Sequence, residues 1–410
     1  MLVTELYRTD KLLFFGTAAL AIFAAALPFS VSLIQGGILL FLVLSLVRSY
    51  RQGALNNLGT GIKSNPLFIP WLIYLAAGAL AAAFGMAPRH SFAALNSDLL
   101  TAVTFFTLCL FLKPGTRSTT LNVYLFAVTA AAALGIFQAI AGLANDLNIR
   151  AHGTSHPVRF GEIMVIGAAL ALSRIVAQEN LSARAKSLLY TSAVIMIAAI
   201  VLSQTRGAYL GLALVLATAV IASRCVKKLI PLFLAGLIVS AVFVGLNPTI
   251  RYRILSIFKG AGSAVTNTAA PDQSIGTRMV LWKTGAKIIR DYPILGIGPG
   301  NVKKAFPVYC PPPYPEDTVW GSLHNLYIHQ TAERGFVGLL ALLILFGGMF
   351  VTALNNYRRY SSWQTLWALA IMPAWFMMNA TEITFQHVHT SYTVLLALAA
   401  AITAQPGTNA

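Results

Sequence analysis

The sequence predicts an all-α polytopic membrane protein of about twelve transmembrane helices, with one large external loop between the ninth and tenth spans. Composition is the first reason: 57% of the 410 residues are hydrophobic and only 10% are charged, whereas a soluble domain carries roughly 25% charged residues. The second is spacing, because apolar runs of roughly 14 to 22 residues recur along the chain, each able to cross a hydrocarbon core. The third is the placement of Lys and Arg, which gather in alternate connections.

In chain order the predicted spans are Leu12–Pro28, Val31–Val47, Leu67–Gly85, Leu99–Leu112, Leu121–Gly142 and Gly161–Ala177. Ser187–Leu202, Ala208–Ala222, Leu229–Leu246, Phe336–Leu354, Leu366–Met378 and Thr393–Thr403 follow. With the N-terminus inside, the basic groups around Arg8/Lys11, Arg48/Arg51/Lys63, Lys113/Arg117, Arg174/Arg184/Lys186, Arg224/Lys227/Lys228 and Arg358/Arg359 fall on the cytoplasmic side. The short opposite loops hold only Arg89, Arg150, Arg159 and Arg206. Both termini are therefore expected in the cytoplasm and the long loop outside. No A-x-A-like cleavage site follows the first span, so it is read as retained.

The formal net charge of +17 implies no nucleic-acid partner, since topology already accounts for about half of the basic residues. Cys109, Cys225 and Cys310 are scattered and only Cys310 is external, so no intramolecular disulfide is expected. With no internal repeat or appended soluble domain, residues 1–410 form a single membrane domain. Its one departure is the polar stretch 247–335, too long for a plain connection and expected to carry much of the site.

Inside that stretch, GTRMVLWKTGAKIIR (276–290) places Met279, Trp282, Ala286 and Ile289 along one helical face, as in an amphipathic helix at the membrane surface. DYPILGIGPGN follows, and its Pro and Gly residues demand a shaped turn. After the proline-rich run 311–315, SLHNLYIHQTAERGFVGLL reads as a second external helix entering the tenth span.

Four places put charged or titratable groups at membrane depth, where they are costly unless used. In SQTRGAYLG, Arg206 offers a rigid fork of donors suited to a phosphate, and Gly207 permits close backbone approach; the alternative role for Arg206 is an anchor snorkelling to headgroups. Arg278 begins the amphipathic helix, near an N-terminus that favours anions, its alternative being a solvated face; Arg251 and Arg253 are weaker residues of that kind. His324, followed by Asn325, is the strongest candidate base, because imidazole accepts a proton near neutral pH. His329 competes with it, and Glu333 either pairs with Arg334 or holds a ligand. The fourth group is His152, His156, Arg159 and Glu162, whose only metal hint is the spacing of the two histidines; His387 and His389 are similarly weak. There is no Walker A sequence, no H-E-x-x-H, no G-x-S-x-G and no D-x-D-type pair in the external loop, so the energy of any reaction must come from the substrate.

Taken as a set, SQTRGAYLG, RMVLWK leading to YPILGIGPGN, and LHNLYIHQTAERGFVGLL resemble the O-antigen ligase family of the O-antigen ligase and polymerase superfamily. The resemblance is detailed from Ser203 to Leu340 and implies a GT-C-like membrane glycosyltransferase of lipopolysaccharide assembly in the Gram-negative inner membrane. Such an enzyme moves a glycan from undecaprenyl diphosphate to lipid A–core on the periplasmic face. Reaction with inversion, without metal or cofactor, is implied. Arg206 and Arg278 match the motif arginines and would bind the diphosphate, while His324 matches the motif histidine and would deprotonate or orient the acceptor hydroxyl. Asn325, Gly207, Arg159 and Trp282 complete the expected substrate-binding set, and membrane lipids surround it. The R-G and H-N motifs favour a ligase over the polymerase or protein oligosaccharyltransferase branches. A glycan transporter is disfavoured because neither repeats nor broken helices are visible.

Overall fold

A computed structural model describes residues 10–144, 149–178, 181–223, 227–231, 234, 236, 238, 273–311 and 319–404, and no strand occurs among them. Most of the ninth predicted span, together with Arg8, Arg224, Arg251, Arg253, Cys225 and most of the proline-rich run, lies outside the described residues.

The first half comprises α1 (Lys11–Ala26), α2 (Val31–Arg51), α3 (Asn56–Lys63), α4 (Phe68–Phe84), α5 (Pro88–Ala94), α6 (Asn96–Phe111) and α7 (Pro114–Ala144). Then come α8 (Pro157–Ala177), α9 (Ala183–Ser203), α10 (Arg206–Ser223), α11 (Gln273–Asp291), α12 (Val302–Tyr309), α13 (Leu326–Tyr360), α14 (Trp363–Asn379) and α15 (Val388–Ile402). Among the described residues, seven candidate spans are long and apolar enough to cross a membrane, or eight if α3 and α4, bent by 85°, form one; α1 and α15 are apolar but shorter. Of the twelve runs expected, several form helices shorter than a bilayer thickness and most of the ninth lies outside the described residues.

Burial separates the helices into two kinds. α8 and α14 are buried almost all round, as is most of α15, which is how a helix at the centre of a bundle must look. The outer helices instead expose large apolar side chains such as Phe126, Phe137 and Ile221. Such residues belong against lipid, where exposure of hydrocarbon carries no penalty. Small residues let the helices close on one another: a Cβ on Gly37 would stand 2.9 Å from the Phe23 amide nitrogen, so α1 and α2 touch backbone to side.

Polar contacts collect at two opposite ends of the bundle. At one, Arg48 Nε of α2 donates to Asp10 at the start of α1 (2.8 Å), and Arg117 donates to the Thr403 carbonyl at the end of α15 (2.6 Å). Lys228 there reaches the Val176 carbonyl and Tyr357 the Ala222 carbonyl. Cations thus meet the carbonyl ends of helices, where the helix dipole favours them. At the other end, Arg150 donates to the Ser203 carbonyl, Met86 N–H to Ile297, and His389 Nδ1 contacts the Leu27 carbonyl. The motif residues occupy this second end.

The external segment has its own small core of Leu281, Ile288, Ile297, Phe306, Leu323 and Ala332. α11 packs through Leu281, Thr284, Gly285 and Ile288, a face displaced from the Met279/Trp282/Ala286/Ile289 stripe expected from the sequence. Trp282, at 36% exposed, stays on the outside because the side chains that must meet Leu323 and Ile328 decide which face turns inward. The glycine-rich turn reverses as expected and is sewn to α13 by Ile297 N–H to Ala332 O and Gly298 N–H to Glu333 O. α13 breaks at Gly335, whose φ of 63° suits glycine, and a Cβ there would lie 2.0 Å from Ile294 O. Of the two grounds against a transporter, the lack of repeats and the lack of broken helices, the break at Gly335 withdraws the second only.

One buried ion pair spans the bundle: Arg334 meets Asp98 with side chains 3% and 7% exposed, and its guanidinium lies 4.9 Å over the Tyr74 ring. Removing one member strands a charge in a low-dielectric interior, whereas removing both leaves only packing to repair. Asp98→Ala is expected to cost about 3–5 kcal/mol in thermal unfolding of the purified protein. Asp98→Leu combined with Arg334→Met should recover most of that loss; an unchanged Asp98→Ala protein would contradict the reading.

Candidate functional site

His324 sits where the external segment meets α13. Its backbone is left-handed (φ 47°), a conformation uncommon for a non-glycine residue and worth attention where chemistry is expected. Three contacts hold the turn. Ser322 Oγ accepts from the His324 amide at 3.1 Å, Asn325 Oδ1 caps α13 by accepting from Ile328 N–H, and Asn325 Nδ2 donates to the Ala380 carbonyl. Leu326 N–H also donates to Glu382 O. Asn325 is thereby a structural clamp between α13 and the loop after α14.

That clamp brings His324 Nδ1 to 2.8 Å from Glu382 Oε2, with the carboxyl side chain 8% exposed and the imidazole 26% exposed. Burial opposes ionisation of Glu382, but the His324 hydrogen bond and charge, His387, and the Ile383 amide outweigh it and hold the carboxyl below its ordinary range. An ionised carboxylate can only accept. Nδ1 must therefore carry the hydrogen, which leaves Nε2 as the basic nitrogen. Trp320 meets the imidazole edge-on with ring centroids 5.3 Å apart.

The expected arginines lie at this end of the bundle on different elements. Arg206 opens α10, and a Cβ on the adjoining Gly207 would stand 2.6 Å from Thr381 Oγ1, next to Glu382. Gly207 thus lets α10 seat its first turn directly on the loop after α14. Glu162, fully buried, donates nothing and accepts from Thr384 Oγ1 at 3.1 Å; Arg159, Arg278 and Glu382 all lie within its electrostatic range. Arg278 falls in the second turn of α11, because the described helix begins at Gln273, so the amides of that N-terminus do not stand beside it. Trp282 lies one turn further on the same side of the helix as Arg278.

Several buried polar atoms at this end have no partner among the described residues: Arg159 Nε, Glu162 Oε2 and His387 Nδ1. Unpaired buried polar groups are costly unless a ligand or water meets them, so their clustering around Glu382 fits a polar substrate. Burial, with the nearby Arg159 charge, pushes His387 down to about 4, leaving it neutral at physiological pH. Burial and Arg150 also lower His156, whose Nδ1 caps α8 by accepting from Val158 N–H.

The other sequence candidates have structural partners. His329 is buried 3.6 Å from Glu333, so it does not reach the dyad's open side. Glu333 neither pairs with Arg334 nor faces outward; its Oε1 accepts from the Gly300 amide at 2.8 Å. Glu382 was missed by sequence reasoning. The available signal was a carboxylate in TEITFQH, in the last external loop of a chain with only 12 acidic residues.

No curated protein matches the chain. The family model described as O-antigen ligase matches residues 191–343. That segment contains Arg206, Arg278 and His324, while Arg159 and Glu382 come to the site from outside it. The motifs and this match agree that residues 191–343 of the chain are similar to the O-antigen ligase family.

Proposed function

We propose that the protein is an O-antigen ligase that transfers a glycan from undecaprenyl diphosphate to lipid A–core, with inversion and without metal, at the periplasmic face of the inner membrane. The observation that carries the reading is the His324–Glu382 contact of 2.8 Å at the meeting point of the family motifs. Similarity of residues 191–343 to the O-antigen ligase family supports a membrane glycosyltransferase of the ligase and polymerase kind; ligase rather than polymerase or protein oligosaccharyltransferase is the finer step taken here. About twelve spans, with both termini cytoplasmic, give the arrangement in which the site faces the periplasm.

The chemistry follows from the charges. Nε2 of His324 takes the proton of an acceptor hydroxyl as its oxygen attacks the anomeric carbon of the donor glycan. Glu382 holds the imidazole in the required tautomer and stabilises the imidazolium that forms, as an acid partner does in other His dyads. The anomeric C–O bond breaks on the opposite face, and undecaprenyl diphosphate leaves with the bonding electrons. Arg206 and Arg278 neutralise that diphosphate, with Arg159 adding positive potential. The phosphate ester is already activated, so positioned charge and a base suffice. Trp282, beside Arg278, offers an amphipathic surface to a lipid-linked ligand.

With a defined undecaprenyl-diphosphate glycan and lipid A–core, and no ATP, purified protein is expected to form glycan-capped lipid A–core. His324→Ala, Arg206→Ala and Arg278→Ala should abolish product while leaving protein in the membrane, and Arg358→Ala should change little. Glu382→Gln is expected to lower kcat about 100-fold with KM near the wild-type value. Polymerised lipid-linked glycan in place of the capped product would assign the polymerase reaction instead.

The pH dependence separates two histidines. Because His387 protonates only near 4, it stays neutral from about pH 5 upward. His387→Gln should therefore leave the acidic limb of the kcat profile where it is. A shift of that limb by a full pH unit would make His387 the titrating base.

A further inference from the structure

At the end of the bundle opposite His324, a cavity of about 260 Å³ opens between α1, α2, α3 and the junction of α6 with α7. Its inner wall is apolar, formed by Leu13, Phe41 and Leu110, and its mouth carries Arg48, Lys113 and Asn57. Among the described residues Arg48 donates only through Nε, to Asp10, which leaves its two terminal nitrogens open to a ligand. Lys113 is exposed at the start of α7 and has no partner among the described residues. Two cations, one of them half-neutralised, thus face a slot whose depth is hydrocarbon.

The surroundings fix the depth of the slot in the bilayer. α2 is long and apolar enough to span, and α3 is turned 85° from α4. A helix turned in this way beside a span lies along the membrane plane, at headgroup level. Asn57 and Leu58 of α3 line the cavity, so the mouth lies where phosphates of the surrounding leaflet lie. The volume holds a headgroup and the first methylenes, not a whole lipid, so the chains must continue into the bilayer between the helices.

We propose that this cavity binds an anionic glycerophospholipid of the leaflet opposite the transfer site. Its phosphodiester sits between Lys113 and the free edge of the Arg48 guanidinium, the hydroxyl and amide groups at the mouth take the glycerol oxygens, and the acyl chains lie along Leu13 and Phe41. Recognition combines charge, which selects anionic over zwitterionic lipid, with a shaped apolar wall, which selects a lipid over a soluble phosphate. The proposal is independent of the glycosyl-transfer assignment, since it uses neither the residues nor the face of that site.

The test is native mass spectrometry of the full-length purified protein, titrated with phosphatidylglycerol or with phosphatidylcholine of the same chain length. Wild type is expected to retain phosphatidylglycerol in preference. Lys113→Glu should weaken that retention at least about fivefold, and Gly16→Leu, which fills the apolar end without changing charge, should weaken it comparably. Thermal unfolding in detergent alone verifies that both variants remain folded. Arg358→Glu makes the same change in net charge away from the cavity and should leave retention unchanged. Equal retention of the two lipids, an equal loss in Arg358→Glu, or displacement of the lipid by inorganic phosphate would each overturn the proposal.

Discussion

The hydrogen bond between His324 and Glu382 decides how the ends of three helices must meet. For Nδ1 to stand 2.8 Å from the carboxylate, the left-handed turn before α13 and the loop between α14 and α15 have to be held in register. Asn325 does this with both ends of its amide, capping α13 and binding the Ala380 carbonyl. Gly207 then brings α10 onto the same loop, so the helix that begins with Arg206 starts beside it as a consequence of backbone packing. A histidine alone at this interface would be one more polar group at the membrane surface; oriented by a carboxylate, it has a defined basic nitrogen.

The rest of the bundle supplies rigidity for that geometry. α8, α14 and α15 are enclosed by their neighbours and cannot shift without disturbing the core, and two of them flank the loop that carries Glu382. On the outer side, the glycine-rich turn is tied to the break in α13 through backbone bonds at Ala332 and Glu333, while Asp98 holds Arg334 one residue before the break. The short segment that begins at Leu326 is therefore fixed at both ends. The exterior of the bundle is apolar because lipid is its solvent, and its polar contacts are confined to the two ends. The same division puts the His324–Glu382 contact and the cavity beside Arg48 at opposite ends.

Much of this architecture was legible in the amino-acid order. Hydropathy located the helices because a bilayer rewards long apolar runs directly, and the order of the three motifs located Arg206, Arg278 and His324. The helix over 276–290 and the reversal at 292–301 were also readable, from periodicity and from glycine. Pairings distant in sequence were not. Asp98 and Arg334 each look like an isolated charge, and Glu382 lies in a short loop with no periodic signal, so only the packing of α14 and α15 against α13 reveals its role. The inward face of α11 was misread because the two candidate stripes differ by one or two positions, and the choice is made by Leu323 and Ile328, which periodicity within α11 cannot register. The break at Gly335 follows from its close approach to Ile294, again a contact between separate segments.

The central question for this site is whether Glu382 acts through His324. A double-mutant cycle on single-turnover transfer, with His324→Ala, Glu382→Gln and the double variant, measures this coupling directly. If Glu382 works by orienting and charging the imidazole, the double variant should be no slower than His324→Ala alone, within about twofold. Losses that multiply, so that the double variant falls well below either single one, would show two independent roles and contradict the dyad.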